Sequence, residues 1–254
     1  MSESVVVDHV SKAFTLQNAR TLKQRFVRRS RSERVNPTFL ALDDVTFTVQ
    51  QGEAIGLMGL NGSGKSTLLK LISGVLRPDK GEVLTRGRIA GLIELGAGFH
   101  PQLSGRENIY LNAAILGMSE AEVNRKFDEI VAFAGINKFL DAPVGRYSSG
   151  MFARLGFSVA AMADSDIFII DEVLAVGDPP FKKKCMARIR EVRDEGRTIV
   201  FVSHNTTQVR RLCTRAIVLE EGRLNFDGAV ADAVHHLKYD EDPGGDEDGE
   251  GGEI

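Results

Sequence analysis

Gly59-Leu60-Asn61-Gly62-Ser63-Gly64-Lys65-Ser66 is the stretch on which the reading of this chain turns. It follows a short apolar run, 54–58, and leads into the Leu-rich stretch 67–73, a pattern of strand, glycine loop and helix. Glycines at 59, 62 and 64 permit backbone turns that a Cβ would obstruct, so successive N–H groups can converge beside a helix N-terminus. In this context the octet reads as a phosphate-binding loop. Lys65 is expected at the β- and γ-phosphates of a nucleoside triphosphate, with Ser66 offering its hydroxyl to Mg2+ and Thr67 close to the α-phosphate. Gly59, Asn61, Gly62, Ser63 and Gly64 complete the expected cradle.

Working outward, Ile167-Phe168-Ile169-Ile170-Asp171-Glu172 is an apolar strand that ends in two carboxylates, at the sheet mouth where ligands bind. Two acids ending a strand are often surface charge. With a phosphate loop roughly a hundred residues upstream, Asp171 is expected to orient Mg2+ through its water shell, and Glu172 to act as general base. Val200-Phe201-Val202-Ser203-His204 ends another apolar strand, and its histidine is expected to reach a γ-phosphate oxygen. Lys65, Glu172 and His204 form the expected catalytic set, and ATP and Mg2+ the expected ligands.

The rest of the chain frames these motifs. Hydrophobic residues make up 43% and charged residues 26% of 254, ordinary for a globular protein with a sizeable core. No stretch approaches the roughly 20 apolar residues needed to span a bilayer, and the start is unlike a secretory leader. Cys185 and Cys213 lack zinc-type spacing and read as packed thiols in a reducing compartment. Net charge is −3, but 240–254 holds eight carboxylates and no Lys or Arg, so the body is basic. That acidic tail, 239–254, has too few apolar side chains to fold by itself. His235 and His236 fall on a final helix as surface residues.

Strands are expected over 5–10 and 42–49, separated by the Arg-rich insert 15–38, which reads either as a solvated loop or as an amphipathic helix for an anionic partner. Helical patterns over 106–116 and 121–134, and from 148 onward, suggest a helical subdomain over about 100–163. Strands resume at 167–170, 198–202 and 216–219. The expected fold is α/β, a P-loop nucleoside triphosphatase core with an antiparallel β region and an inserted helical subdomain, filling 1–238.

Tyr147-Ser148-Ser149-Gly150-Met151 narrows the choice, because it resembles the signature motif of ABC transporter ATPases. Ser148 can cap the helix it opens, and the free N–H groups there, with Gly150, form an anion site. The resemblance implies a head-to-tail homodimer that sandwiches two ATP molecules, each between one phosphate loop and the opposite signature. Ser149 and Met151 depart from the common form. Together with Glu94-Leu95-Gly96-Ala97-Gly98-Phe99-His100-Pro101 and Gly105-Arg106-Glu107-Asn108-Ile109, they make the chain similar to the ATPases that export lipid-linked polysaccharides and teichoic acids.

By that resemblance Phe14 stacks on adenine, with Phe39 as substitute and a core aromatic as the rival reading. Glu94 replaces the usual glutamine at the Mg2+ site, and Asp178 contacts the opposite subunit. The implied partners are a separate transmembrane permease subunit and, through it, a lipid-linked glycan of O-antigen, galactan or teichoic acid type, with no nucleic acid. The implied location is the cytoplasmic face of the inner membrane, peripheral. A soluble ABC-type ATPase acting on a macromolecular partner is the alternative; it calls for a coiled-coil insert, second cassette or partner-specific arm, none of which the sequence displays.

Overall fold

The computed structural model describes residues 2–15, 38–92, 96, 98–171, 177–203 and 205–237. In chain order these form β1 (Glu3–Thr15), β2 (Thr38–Gln50), β3 (Ala54–Met58), α1 (Lys65–Ile72), β4 (Lys80–Thr85), β5 (Ile89–Leu92), α2 (Gly105–Ile115), α3 (Glu120–Ala134), α4 (Ser149–Met162), β6 (Ile167–Ile170), α5 (Pro179–Asp194), β7 (Thr198–Val202), α6 (Thr206–Leu212), β8 (Arg215–Glu220), β9 (Arg223–Ala229) and α7 (Val230–His236). One sheet has the order β2-β1-β4 and is antiparallel. The other has the order β5-β6-β7-β3-β8-β9. Its first five strands are parallel and β9 pairs antiparallel at the edge.

Every residue of β3, β6 and β7 is buried, which is why these strands are unbroken apolar runs: a parallel sheet is covered on both faces. Their side chains divide by alternation between two cores. Ile55, Leu57, Ile167, Ile169, Val200 and Val202 pack with Leu68, Leu69 and Ile72 of α1 and with Val5, Val7 and Leu42 of the antiparallel sheet. Met58, Phe168, Ile170 and Phe201 face the opposite way, against Leu155 and Phe157 of α4, Ile189 of α5 and Val209 of α6. A slip of one residue in any central strand would exchange the two sets, so register is strongly specified.

Strands β1 and β2 are longer than the expected 5–10 and 42–49. They keep pairing out to Phe14 against Phe39 and Thr15 against Thr38, at the base of the Arg-rich insert. The insert's residues 16–37 lie outside the described residues, as does the acidic tail. Between β5 and β6 stand α2, α3 and α4, each opened by a serine cap. Ser104 forms a reciprocal capping box with Glu107, Ser119 accepts from the Glu122 N–H, and Ser148 accepts from the Met151 N–H. Cys185 and Cys213 are free and buried, and burial pushes both thiols up to about 12, so they are inert packing groups.

Candidate active site

The glycine loop joins β3 to α1, and its three glycines have positive φ: 143° at Gly59, 84° at Gly62 and 105° at Gly64. Two are also crowded. A Cβ on Gly59 would lie 2.3 Å from the Leu219 carbonyl oxygen, and one on Gly64 would lie 2.6 Å from that of Ala41. The loop is braced from outside as well, because the Gly222 N–H donates to the Ser63 carbonyl at 3.1 Å and the Asp43 N–H donates to the Gly222 carbonyl at 2.8 Å. Gly62 faces open space, with nothing within 4 Å of a Cβ built on it.

Lys65 folds across this loop, its ammonium donating to the carbonyls of Gly59 at 2.7 Å and Leu60 at 2.9 Å. The Ser63 hydroxyl is buried without a hydrogen-bond partner. Unpartnered buried polar atoms are rare in folded chains, and one within a glycine-rich turn suits an oxygen-rich ligand. Ser66 is exposed and Thr67 half-buried at the first turn of α1.

Parallel pairing of Ile170 with Phe201 and of Leu57 with Val202 puts the ends of β6, β7 and β3 side by side. Asp171 therefore emerges on the same sheet edge as the loop, and its field is felt by Lys65. Burial lowers the Lys65 ammonium from its ordinary value against the pull of Asp171, and burial raises Asp171 against the pull of Lys65 and Lys70. The pair is partly desolvated, which strengthens its hold on any charged ligand. A hydroxyl and a carboxylate are hard oxygen donors, so Ser66 and Asp171 fit Mg2+ rather than a softer metal. Next to Asp171, Glu172 lies outside the described residues, as do His204 and Glu94. Their immediate neighbours are in place: Ser203 is buried at the end of β7, its Oγ accepting from the Asn205 N–H at 3.0 Å.

Phe14 is not a core aromatic: it is 38% exposed, cross-strand from Phe39 at 51%, with the Lys12 ammonium 5.8 Å from its ring centre. This apolar pair sits near the loop, since Ala41, two residues beyond Phe39, abuts Gly64. Ser148 and Gly150 are placed elsewhere, at the N-terminus of α4. The Ser148 hydroxyl caps its own helix at 3.2 Å, and a Cβ on Gly150 would meet nothing closer than that hydroxyl at 3.9 Å. Asp178 precedes α5, and its carboxylate accepts from Arg154 of α4 in the same chain.

The structure also explains why the other family stretches accompany the signature. A Cβ on Gly105 would lie 2.2 Å from the Tyr147 hydroxyl, which donates to the Phe139 carbonyl at 2.7 Å. Gly96, at φ 75°, is closed against the Phe152 ring, which also packs edge-on to Phe99 at 4.9 Å. Asn108, fully buried, accepts from the His100 N–H and donates to three carbonyls of the 100–104 turn. Gly96 and Gly105 are thus the spaces that aromatics of the signature region fill, whereas Gly98 is closed by Ile115, pairings visible only in three dimensions. Arg154 is the functional candidate that sequence reasoning passed over; its place one helical turn beyond Gly150 was the available signal.

A cavity of ≈ 260 Å³ adjoins the loop, lined by Gly59, Leu60, Asn61, Glu221, Asn225 and His236 among others. His236 stacks on Phe226 at 4.3 Å, and no group of three or more His, Cys, Asp or Glu side chains that could hold a metal ion occurs among the described residues.

Comparison with known proteins agrees with this geometry. The sequence model of the ABC transporter family matches residues 42–175. An O-antigen export system ATP-binding protein of Klebsiella pneumoniae is 52% identical over 200 residues, 79% of this chain and 81% of that protein. A teichoic acids export ATP-binding protein of Bacillus anthracis is 42% identical over 243 residues, 95% of this chain but 43% of that longer protein. The solved structure of an ATP-binding subunit of an ABC transporter superposes with a TM-score of 0.74 at 25% identity, covering 92% of each chain.

Proposed function

The chain belongs to the ABC transporter family, and from that premise we propose that it is the ATP-hydrolysing subunit of an exporter of lipid-linked polysaccharide. The observation that carries the reading is the meeting of the braced phosphate loop, Asp171 and the end of β7 on one sheet edge. The cargo class follows the exporters named above, the Klebsiella pneumoniae relative foremost. Residues 1–238 act as the ATPase domain, with a helical subdomain over about 100–163 and an acidic tail over 239–254.

At the edge, Lys65 exchanges its two carbonyl partners for phosphate oxygens, while the turned N–H groups of Gly59 to Gly64 hold the triphosphate in place. Phe14, with Phe39 beside it, offers the apolar face on which adenine stacks. Ser66, Asp171 and Glu94 hold Mg2+, which when bound neutralises charge developing on the phosphates. Glu172 takes a proton from the attacking water, and His204 donates to the γ-phosphate. Ser148 and Gly150 present the N-terminus of α4 to the nucleotide of a second copy, because the hydroxyl of Ser148 is satisfied within its own helix and the helix end remains an anion site. Closure of the homodimer would then drive a separate transmembrane subunit; no helix among the described residues is long and apolar enough to cross a membrane. The expected position is peripheral, at the cytoplasmic face of the membrane.

The test is ATPase activity of the purified chain with its permease, with and without lipid-linked glycan, for wild type and Glu172→Gln. Glycan-stimulated turnover that the variant loses, while still binding ATP, supports the reading. Turnover indifferent to permease and glycan moves the protein to a soluble role.

A further inference from the structure

The phosphate loop leans on the turn that joins β8 to β9, and that turn is itself held under strain. A cavity of ≈ 260 Å³ lies between the crest of the loop, Leu60 to Gly62, and the β8–β9 hairpin, so the two meet at the ends of the loop. At the first end the Leu219 carbonyl oxygen closes on Gly59, and at the second the Gly222 N–H donates to the Ser63 carbonyl at 3.1 Å. The peptide between Ser63 and Gly64 is trans and planar, so its C=O and N–H point opposite ways. Fixing the Ser63 carbonyl toward the turn therefore aims the Gly64 N–H away from it.

The turn does not adopt this shape by preference. Glu221 sits at φ 47°, a left-handed conformation that crowds a residue with a Cβ. Gly222 follows at φ 81°, where an added Cβ would lie 2.8 Å from the Ala41 carbonyl oxygen. Such strain persists where neighbouring contacts over-determine it. Here β2 supplies them through one residue: the Asp43 N–H donates to the Gly222 carbonyl at 2.8 Å, and the Asp43 carboxylate accepts from Nε of Arg223, also at 2.8 Å. The Asp43 side chain is 29% exposed and that of Arg223 73%, so an ion pair this open adds little to stability. Its effect is on where the turn sits.

We propose that Arg223 is a positioning residue for the phosphate loop: paired with Asp43, it holds the Glu221-Gly222 turn against Ser63 and so sets the direction in which the Gly64 N–H meets a nucleotide phosphate. The inference rests on the ATPase reading above. Arg223 acts through Asp43 and Gly222, because its guanidinium is engaged by the Asp43 carboxylate. Both Nε and Nη2 donate to the same carboxylate oxygen, a two-point hold that a lysine ammonium reproduces in charge but not in direction.

The experiment compares wild type, Arg223→Gln, Arg223→Lys, Asp43→Asn and the Gln/Asn double variant of the full chain. It measures binding of a non-hydrolysable ATP analogue, ATPase rate against ATP concentration, and thermal melting without nucleotide. The expected result is a Kd and a KM each about fivefold higher in Arg223→Gln and Asp43→Asn, with kcat within about twofold of wild type and an unchanged melting point. The double variant should bind no more weakly than either single one, since all three break the same contact, and Arg223→Lys should recover part of the affinity. Unchanged Kd and KM overturn the proposal. So does a loss of affinity that tracks a lower melting point, or a double variant whose loss is the product of the two single losses. Lys65-dependent binding in wild type, with the Arg223 and Asp43 variants indifferent, defeats this role alone. If wild type shows no Lys65-dependent binding at all, the ATPase reading itself fails and takes this role with it.

Discussion

The sheet edge and the helical layer hold two halves of one expected reaction, and they are built by opposite means. At the edge, position comes from backbone: parallel register aligns β3, β6 and β7, and the crowded turns at Gly59 and Gly64 leave the loop one conformation. In the helical layer, position comes from side chains filling glycine hollows, Tyr147 against Gly105 and Phe152 against Gly96, and from ion pairs such as Arg154 with Asp178 and Arg88 with Glu122. A backbone-built site is rigid and serves to hold a ligand. A side-chain-built site can shift as a unit and suits a helix that must close on a second copy.

The largest expected effect separates the two most sharply. Lys65→Ala should abolish nucleotide binding by the isolated chain and cut turnover by at least ~10²-fold, with no fall in melting temperature. The side chain that is lost is a partly desolvated charge, so the relief of that burial offsets the loss of its two hydrogen bonds to the Gly59 and Leu60 carbonyls. A comparable loss of binding in Ser148→Ala would break the comparison, because that serine is expected to serve only the partner's nucleotide. For Ser148→Ala, equilibrium binding by the monomer should be unchanged while turnover falls roughly tenfold, with about 1 kcal/mol lost from helix capping.

Gly105→Ala comes next and should act through the fold. The new methyl would meet the Tyr147 hydroxyl, so about 1–3 kcal/mol of destabilisation is expected, read as a lower midpoint in urea unfolding. Pairing it with Tyr147→Phe, which removes the colliding oxygen, should recover part of the loss. Failure to recover would show that the two stretches are coupled by something other than this contact.

The smallest effect is a shift of stability with pH. Burial raises the Asp171 carboxyl above its ordinary range, so the native chain binds that proton more tightly than the unfolded chain does. The group's contribution is therefore present below its unfolded value and is lost as pH rises through its folded value. Asp171→Asn should raise the melting temperature of the nucleotide-free protein by a few degrees near pH 7, with the gain vanishing at about pH 3, although turnover is lost. A variant less stable than wild type at neutral pH would place the carboxylate in a stabilising pair instead.

Much of this was readable before any coordinates, and the boundary is physical. The octet 59–66 demanded its own conformation, since positive φ at three glycines is a local requirement, and the buried runs at β6, β7 and β8 announced a sheet covered on both faces. The serine before each middle helix was likewise a local signal. Strand β4 was not legible, because nearly all of Lys80–Thr85 is exposed and only pairing with β1 holds it extended. The same holds for β9, whose half-exposed alternation becomes a strand against β8. Phe14 could not be told from a core aromatic until its neighbour Phe39 was seen to be exposed as well. Asp178 was recognisable as a loop residue from the sequence, but its turn away from α5 toward Arg154 depends on two elements 24 residues apart meeting in space. By itself the sequence determined the chemistry on offer, since motif geometry is set by neighbouring residues. Only the tertiary structure decided which of those groups share an edge, which glycines are hollows and which charge pairs join them, because such contacts depend on packing between distant segments.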